Sequence, residues 1–380
     1  MKKQLYKKVI SLLGVTALSA ALVTGCSQTS TDKETAASGT SGNNEEAVVQ
    51  SAELDTSENN TILVSSTPGY IRVAINILAK QLGYYEEEGL NVEFVDISDA
   101  ASALSALSTD KDDLDVHGTG IVPDLTFITN GSDLVIFEGT AVEGGAIIAL
   151  PENVETFKDL KNFENTTVAM VRNQTSWVVT RDLMLQQGID VSSITIKEVD
   201  SQVNVAQAVA KGEADTGFLP VEYANSFRSE GVEIVREVGE ICPNYVCCRQ
   251  ITSRNKLEEK RDAFVKYTKA NLRAWNYFED EANRQDVIKV LADFSGQTED
   301  YVNEYFFVNH TILTLDPNKK GIEEFYQAMI SSNYFEDSTP VNISDYIDTS
   351  IYKDALDAVI AEYPDDSFYQ QALKDFEAYN

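Results

Sequence analysis

Four short segments of the sequence combine hydroxyl, amide or glycine residues at points where a predicted strand leads into a predicted helix. They are 65–70, 98–100, 117–120 and 173–177. The start of a helix presents unpaired N–H groups and a partial positive charge, which suit an oxyanion or a polar head group. Capping alone accounts for one such segment, but four exceed that need and predict a small-molecule site. The candidate ligand-binding residues within them are Ser66, Thr67, Tyr70, Ser98, His117, Thr119, Asn173, Thr175, Ser176 and Trp177.

No catalytic or metal-binding motif accompanies these segments. The sequence has no G-x-S-x-G elbow, no phosphate-binding P-loop and no helical pair of metal ligands. Cys242, Cys247 and Cys248 lie close together, but adjacent cysteines lack the spacing of zinc ligands, and both histidines are distant in sequence. We therefore expect no cofactor and no metal, and we interpret the three thiols as small buried residues near a strand end.

Alternating strands and amphipathic helices are expected to position the four segments. The first half predicts strands at 61–64, 91–95, 114–116 and 134–137, with helices at 71–82, 100–107 and 121–129. The pattern repeats from about residue 151, with strands at 165–171, 194–199 and 216–219 and helices at 177–187 and 203–211. This order is typical of an α/β fold with a largely parallel sheet, whose loops line a crevice. Long helical segments are predicted at 257–278 and 351–362.

The first 26 residues have the order of an export signal. A lysine-rich start and an apolar core at 10–23 precede small or hydroxyl residues that lead to Cys26. The apolar core is too short to span a bilayer comfortably. The stretch VTGC at 23–26 resembles the lipobox of bacterial lipoproteins, whose cysteine is lipidated. This resemblance implies a signal peptide at 1–25 and a lipid such as palmitate on Cys26, which would anchor the protein to the extracytoplasmic face of the cell membrane.

Composition separates a flexible segment from a folded one. Residues 26–60 are rich in small polar residues and poor in large apolar ones, so we expect a disordered tether. The remaining part of the chain is long enough for two lobes. A net charge of −31 without any block of Lys or Arg argues against a nucleic-acid partner. It predicts a solvated acidic surface on an exported monomer and leaves an anionic ligand possible.

Two further stretches resemble a known family. Residues 83–93, GYYEEEGLNVE, are similar to its G-Y-F-x-x-E-G-L-x-V-E stretch, and residues 208–215, AVAKGEAD, are similar to its A-L-x-x-G-E-x-D-A stretch. The family comprises solute-binding proteins of nitrate, sulfonate and taurine ABC importers. It also holds binders of the thiamine pyrimidine precursor and a related pyrimidine synthase. The similarity extends over about 61–335 and does not identify the solute.

The resemblance implies a two-lobed fold like that of type II periplasmic binding proteins, each lobe being a largely parallel sheet flanked by helices. The lobes would close over a small solute and deliver it to an ABC permease and ATPase. Chain crossings between lobes are expected near 149–152 and 241–248. The resemblance adds three ligand-binding residues, Glu138, Glu222 and Tyr223. The expected domains are lobe 1 at 61–148 and 249–340, lobe 2 at 149–248 and a helical C-terminal extension at 341–380.

The solute and two other functions stay open at this point. Helix starts and hydroxyls favour a nitrate, sulfonate or carboxylate, whereas Glu138 and Glu222 suit an amine or a protonated pyrimidine. Arg172 is interpreted either as an anion contact or as part of a structural ion pair. The pair Cys247-Cys248 is only a remnant of the synthase's cysteine-rich motif, so we expect a binding protein rather than an enzyme. A surface sensor is a further alternative.

Overall fold

The computed structural model describes five stretches of the chain, which lie within one compact unit: 58–66, 71–109, 113–309, 311–335 and 338–380. The predicted signal peptide, Cys26, most of the tether, Thr67 and Tyr70 lie outside the described residues. The described chain begins with a short 3-10 helix at Glu58–Asn60, directly before the first strand.

Strands and helices alternate along the described residues. The strands are β1 (Thr61–Ser66), β2 (Asn91–Asp96), β3 (His117–Gly120), β4 (Leu134–Val142), β5 (Gly145–Ala149), β6 (Thr167–Met170), β7 (Thr195–Glu198), β8 (Thr216–Pro220), β9 (Glu233–Glu237), β10 (Val246–Ser253) and β11 (Ile312–Leu313). The helices are α1 (Ala74–Gln81), α2 (Tyr84–Glu87), α3 (Ala100–Ser108), α4 (Ile121–Thr129), α5 (Val154–Phe157), α6 (Thr175–Gln186), α7 (Gln202–Ala210), α8 (Val221–Ser226), α9 (Arg254–Glu259), α10 (Arg261–Glu279), α11 (Arg284–Ser295), α12 (Glu299–Asn303), α13 (Lys319–Ser331), α14 (Ser350–Glu362) and α15 (Ser367–Tyr379). Within the described ranges, no helix is both long and apolar enough to cross a membrane.

The strands form three sheets, of which one is parallel, one is antiparallel and one is mixed. β1 and β2 pair in parallel. The four-stranded sheet, in the order β11-β4-β10-β3, is antiparallel throughout. The five-stranded sheet, β7-β6-β8-β5-β9, is parallel from β7 to β8 and antiparallel on both sides of β5. The predicted α/β class is confirmed, but the sheets are mixed rather than largely parallel, since β10, β11 and β5 run antiparallel to the strands beside them.

Two short crossings connect the four-stranded sheet to the five-stranded sheet. The chain first crosses from β4 to β5 through Glu143 and Gly144. It returns between β9 and β10, through residues 238–245. The first crossing therefore comes a few residues before the expected position at 149–152, and the second overlaps the expected position at 241–248.

Hydrogen bonds tie the two crossings to each other. The backbone N–H of Asn244 donates to Oε1 of Glu143 at 2.7 Å, and the N–H of Glu143 donates to the carbonyl of Tyr245 at 3.0 Å. The N–H of Gly145 donates to the Tyr245 hydroxyl at 2.9 Å. Glu143 has a φ of 58°, which is uncommon for a residue with a side chain and is stabilised here by these bonds.

Local signals place several helix ends close to their predicted positions. The side chains of Asp99 and Ser201 accept hydrogen bonds from backbone N–H groups at the starts of α3 and α7. Gly83 and Gly188 adopt φ values of 78° and 73° just beyond the ends of α1 and α6, a conformation that glycine adopts without steric cost. These helices were predicted to within a few residues.

Two local predictions differ from the structure. The segment His117–Gly120, expected as a turn after a strand at 114–116, is itself β3 and pairs antiparallel with β10. Its Gly118 is closely packed, since a Cβ there would lie 3.1 Å from the Val73 side chain. The helix expected at 257–278 is divided at Lys260 into α9 and α10.

The C-terminal helices belong to the main hydrophobic core. α14 packs against α10 and β4, and its Ile351, Tyr352 and Leu356 are fully buried. Tyr85 and Tyr267, also fully buried, stack in the same core with ring centroids 5.3 Å apart. Burial on this scale means that residues 350–362 contribute to the stability of the fold.

Candidate functional site

The structure contains a buried ion pair between Arg72 and Glu222. Arg72 lies two residues before α1, which packs against α10, and Glu222 is the second residue of α8, which packs against the five-stranded sheet. The Arg72 Nη2 donates to Oε1 of Glu222 at 2.9 Å. The two side chains are only 11% and 9% exposed, so the pair is largely shielded from water. The residues are 150 positions apart in the chain.

The remaining donors of Arg72 are also engaged. Its Nε donates to the Tyr305 hydroxyl at 2.8 Å, and its Nη1 approaches the sulfurs of Cys247 and Cys248 at 3.5 and 3.6 Å. Burial acts to lower the pKa of Arg72, but Tyr305, Glu222 and the two sulfurs outweigh it, and the pKa is raised. The guanidinium therefore stays charged and is held on three sides. We refer to Arg72, Glu222, Cys247, Cys248 and Tyr305 as the Arg72 cluster.

A β-bulge brings the two cysteines of the Arg72 cluster together. Successive residues of a regular strand point to opposite faces, but the pairing of β10 with β4 shifts register on both sides of Cys248. The sulfurs of Cys247 and Cys248 consequently lie 3.3 Å apart. The hydrogen bond with Cys247 lowers the pKa of Cys248 against the opposing effect of burial, and the charge of Arg72 lowers it further. The same bond and burial raise the pKa of Cys247.

Two of the predicted site residues have a buried polar atom with no hydrogen-bond partner among the described residues. One is Oε2 of Glu222, whose other oxygen binds Arg72. The other is Nε2 of His117, whose Nδ1 shares a hydrogen bond of 2.5 Å with the Ser65 hydroxyl. Burial lowers the pKa of His117 to about 4, so the ring is neutral at pH 7. An unsatisfied buried polar group is costly, and a ligand atom would relieve that cost.

The predicted residues of the first half lie at or near the ends of strands. Ser66 ends β1 and is half-buried, and Thr119 is half-buried in β3, two residues after His117. Ser98 is exposed, and its hydroxyl donates to the Asp99 carboxylate at 2.9 Å. The structure therefore brings Ser65, the neighbour of Ser66, into contact with His117, whereas Ser98 contacts Asp99 at the start of α3.

The predicted segment 173–177 lies at the start of α6, which begins at Thr175 rather than at Trp177. Asn173 is exposed and Thr175 is half-buried. Ser176 is buried and accepts a hydrogen bond from Gln174 at 2.8 Å. Trp177 is only 5% exposed and packs edge-on against Phe218, with ring centroids 5.2 Å apart. Most of the indole therefore stabilises the core beside the five-stranded sheet.

Asn173 and Trp177 also line a cavity of about 350 Å³, together with Arg172 and Tyr334. Arg172 forms an exposed ion pair with Glu198 at 2.9 Å, which agrees with its interpretation as a structural pair. A second groove of about 430 Å³ lies between α6 and α13, beside the second crossing. Both cavities flank the contact between α6 and α13.

Glu138 lies in the middle of β4 rather than after the strand, and it is fully buried. Its Oε1 accepts hydrogen bonds from Gln250 at 2.7 Å and Asn271 at 2.9 Å, and its Oε2 accepts one from Thr268 at 2.5 Å. Burial raises the pKa of this carboxyl to about 8. Its bonds therefore connect β4 to β10 and α10 inside the fold.

Tyr223 follows Glu222 but points elsewhere. It is 40% exposed and stacks on Phe227, with ring centroids 5.9 Å apart.

Two residues of the Arg72 cluster, Arg72 and Tyr305, were not predicted from the sequence. Arg72 follows the predicted turn at 65–70, and a cation there could have been noted, but nothing local indicates that Tyr305 approaches it.

No group of three or more His, Cys, Asp or Glu residues within the described ranges could hold a metal ion.

Comparisons with known proteins agree with this architecture. The family model described as "NMT1/THI5 like" matches residues 71–285. No curated protein sequence matches the chain. A ligand-binding component of an ABC-type import system from Staphylococcus aureus is 16% identical with a TM-score of 0.63, and the match covers 78% of this chain and 99% of that chain.

Two further solved structures are similar. The periplasmic aliphatic sulphonate binding protein SsuA from Escherichia coli is 17% identical, with a TM-score of 0.60 and coverage of 76% of this chain and 92% of that chain. The periplasmic nitrate-binding protein NrtA from Synechocystis is 14% identical, with a TM-score of 0.61 and coverage of 79% and 89%. The predicted periplasmic-binding-protein fold is thereby confirmed.

Proposed function

We propose a function from one premise: the chain belongs to the NMT1/THI5-like family. The proposed function is that of a solute-binding protein of an ABC importer, which captures a small organic or inorganic solute and delivers it to a permease and an ATPase. The leading solute class is nitrate, a sulfonate, taurine or a related nitrogen- or sulfur-containing compound. The similar proteins from E. coli and Synechocystis support this class through what their names state. In this proposal the protein binds its solute and does not act on it as an enzyme.

The Arg72–Glu222 pair is the observation on which the proposal depends. It connects the segment before α1 to α8, which packs against the five-stranded sheet, and Oε2 of Glu222 is buried without a partner among the described residues. Such an arrangement fits a cleft in which a solute contacts both sides at once. We propose Ser66, His117, Thr119, Asn173, Thr175 and Glu222 as ligand contacts, together with Thr67 and Tyr70.

The sheet topology supports the proposed two lobes. Lobe 1, at 61–148 and 249–340, would contain the four-stranded sheet, and lobe 2, at 149–248, most of the five-stranded sheet. The crossing at Glu143 and Gly144 suggests that lobe 2 begins a few residues earlier, with β5. The proposed anchor is a lipid on Cys26, which would hold the monomeric protein outside the membrane by a tether. The lipobox-like order of residues 23–26 supports it.

One observation favours a second solute class, a thiamine pyrimidine precursor or a similar aromatic heterocycle with an amino group. Arg72 is the cation of the cluster, and Glu222, Tyr305 and two sulfurs already engage it. Among the described nitrogen and oxygen atoms of the Arg72 cluster, Oε2 of Glu222 is buried without a partner, and it is an acceptor. A ligand N–H group would satisfy it, and a nitrate or sulfonate oxygen would not.

Thermal unfolding in the presence of candidate solutes tests the proposal. Nitrate, ethanesulfonate, taurine and the aminopyrimidine precursor of thiamine are added separately to the purified protein. A solute at 100 times its Kd adds about 2.7 kcal/mol to the free energy of unfolding and raises Tm. Small-angle scattering should then show a smaller radius of gyration. Glu222→Gln should reduce the Tm shift, whereas the exposed control Glu230→Gln should preserve it.

A Tm increase with nitrate or a sulfonate supports the leading class, and an increase with the aminopyrimidine supports the second. If no solute changes Tm or the radius of gyration, the proposed function is wrong. Genes for a permease and an ATPase beside the gene of this protein would support an importer, and their absence would favour the sensor.

A further inference from the structure

The adjacent cysteines of the Arg72 cluster have the geometry of a dithiol that can react as a pair. Their sulfurs are 3.3 Å apart and share a hydrogen bond. In a regular strand the two side chains would point to opposite faces, and only the bulge of β10 places them together. Both thiols are free, and no disulfide occupies either of them.

The surroundings make the two thiols unequal. Arg72 approaches both sulfurs, and the hydrogen bond from Cys247 lowers the pKa of Cys248, so Cys248 is the group that forms a thiolate. A thiolate next to a thiol is the arrangement that performs thiol–disulfide exchange, because one sulfur attacks and the other resolves the mixed disulfide. Cys242, by contrast, is separate from the pair, donates to the Val179 carbonyl at 3.8 Å, and its pKa is raised to about 11 by burial.

We propose that Cys247 and Cys248 form a redox-active dithiol that reacts with an external disulfide, either a low-molecular-weight disulfide or a protein disulfide. The Cys248 thiolate attacks one sulfur of that disulfide and releases a thiolate, which takes up a proton. Cys247 then loses its proton and attacks the Cys248 sulfur, forming the Cys247–Cys248 disulfide and releasing the second thiol. Two electrons pass to the external disulfide, which is reduced to two thiols.

The product is expected to be readily reversible. Adjacent Cα atoms are about 3.8 Å apart, which is less than the separation usual for disulfides, and such bonds are more easily reduced. The sulfurs are also covered, since Cys247 and Cys248 are only 7% and 3% exposed and Arg72 lies over them. Reaction therefore requires the Arg72–Glu222 contact to open, and oxidation removes the thiolate that faces Arg72. The inference needs only these thiols and is independent of the proposed function.

Peptide mapping of the full-length folded protein tests the inference. The protein is incubated with oxidised glutathione or, separately, with dithiothreitol, quenched in acid, and alkylated under denaturing conditions. Trypsin cleavage after Arg236 and Arg249 yields one peptide, 237–249, that contains all three clustered cysteines. We expect three alkyl labels on this peptide after dithiothreitol and one after oxidised glutathione, the remaining label being on Cys242.

Matched variants separate the pair from its neighbour. Cys242→Ser should change from two labels to none on oxidation. In Cys247→Ser and in Cys248→Ser the remaining thiol of the pair should keep a glutathione adduct, because no second thiol is left to resolve the mixed disulfide. Three retained labels in the oxidised wild-type protein, a lasting glutathione adduct in place of the internal disulfide, or loss of the Cys242 label would each overturn the inference. The wild-type map gives this answer even if a variant fails to fold.

Discussion

Substitution of the buried Glu138 by glutamine should stabilise the protein at neutral and alkaline pH. The carboxyl is fully buried, and its pKa is raised to about 8 by burial, from an ordinary value of 4.5. In the folded protein it is therefore largely protonated at pH 7, whereas in the unfolded chain it is ionised. A glutamine has the same shape and no charge, and its amide can donate to Thr268 while its oxygen accepts from Gln250 and Asn271.

The direction of the pH effect follows from linkage. Because the folded pKa lies above the unfolded value, the folded state binds more protons between pH 4.5 and pH 8, and Glu138 destabilises the wild-type protein increasingly as pH rises through this window. At 1.36 kcal/mol for each pH unit, the full effect is about 5 kcal/mol above pH 8. The variant lacks this dependence, so its advantage should be near zero at pH 4.5 and grow to several kcal/mol at pH 8.

Urea unfolding of both proteins at intervals from pH 5 to pH 8.5 measures this difference. The difference between wild type and Glu138→Gln isolates one carboxyl from the many others that titrate. The exposed Glu258→Gln on α9 serves as the control and should show a difference that stays within about 0.5 kcal/mol at every pH. A constant difference between wild type and Glu138→Gln across the pH range would refute the reasoning.

Three further predictions concern close contacts and buried charges. Gly139→Ala should destabilise the protein by about 3 kcal/mol in urea unfolding, since a Cβ there would lie 2.4 and 2.5 Å from backbone oxygens. Asp115→Asn should cost about 3–5 kcal/mol, because it leaves the ammonium groups of the buried Lys256 and the partly buried Lys260 without their carboxylate. A double-mutant cycle with Arg72→Met and Glu222→Gln should give a coupling energy of about 1.5–3 kcal/mol, measured from the same unfolding curves.

Controls for these variants are available in the same chain. Gly120→Ala places its Cβ no closer than 4.0 Å to other atoms and should cost about 1 kcal/mol at most. Asp133→Asn removes an exposed partner of Arg254 and should change stability by less than about 1 kcal/mol. Equal losses for a variant and its control, or a coupling energy of about zero for the cycle, would contradict the corresponding prediction.

The order of strands and helices could be predicted because its signals are local. Apolar periodicity, the caps at Asp99 and Ser201 and the glycines after α1 and α6 act within a few residues, so a single segment contains the whole signal. The direction of the sheets could not be predicted in the same way. The extension of β4 past Phe137 includes a buried Glu138, whose partners lie on β10 and α10, more than a hundred residues away.

The candidate site also combines local features that the sequence indicates with long-range contacts that it does not. The predicted segments 65–70 and 117–120 come together at the hydrogen bond between Ser65 and His117, and their hydroxyl and imidazole side chains could be noted from the sequence alone. The Arg72–Glu222 contact depends on how the two parts of the fold approach each other, which no local pattern indicates. The predicted aromatic Trp177 is mostly part of a core, since an indole is as useful for packing as for binding.

The hydrogen bonds between the two crossings determine which relative movement of the two larger sheets costs little free energy. With residues 143–145 and 244–245 held together, sliding would break those bonds, whereas rotation about them would keep them. β5 lies beside this axis, and β7 is three strands farther along the same sheet, roughly 14 Å away at ordinary strand spacing. Small torsional changes at Glu143 and Gly144 would therefore displace each strand of this sheet in proportion to its distance from the axis. Along the β5-to-β7 side of the sheet, the displacement would be largest at β7.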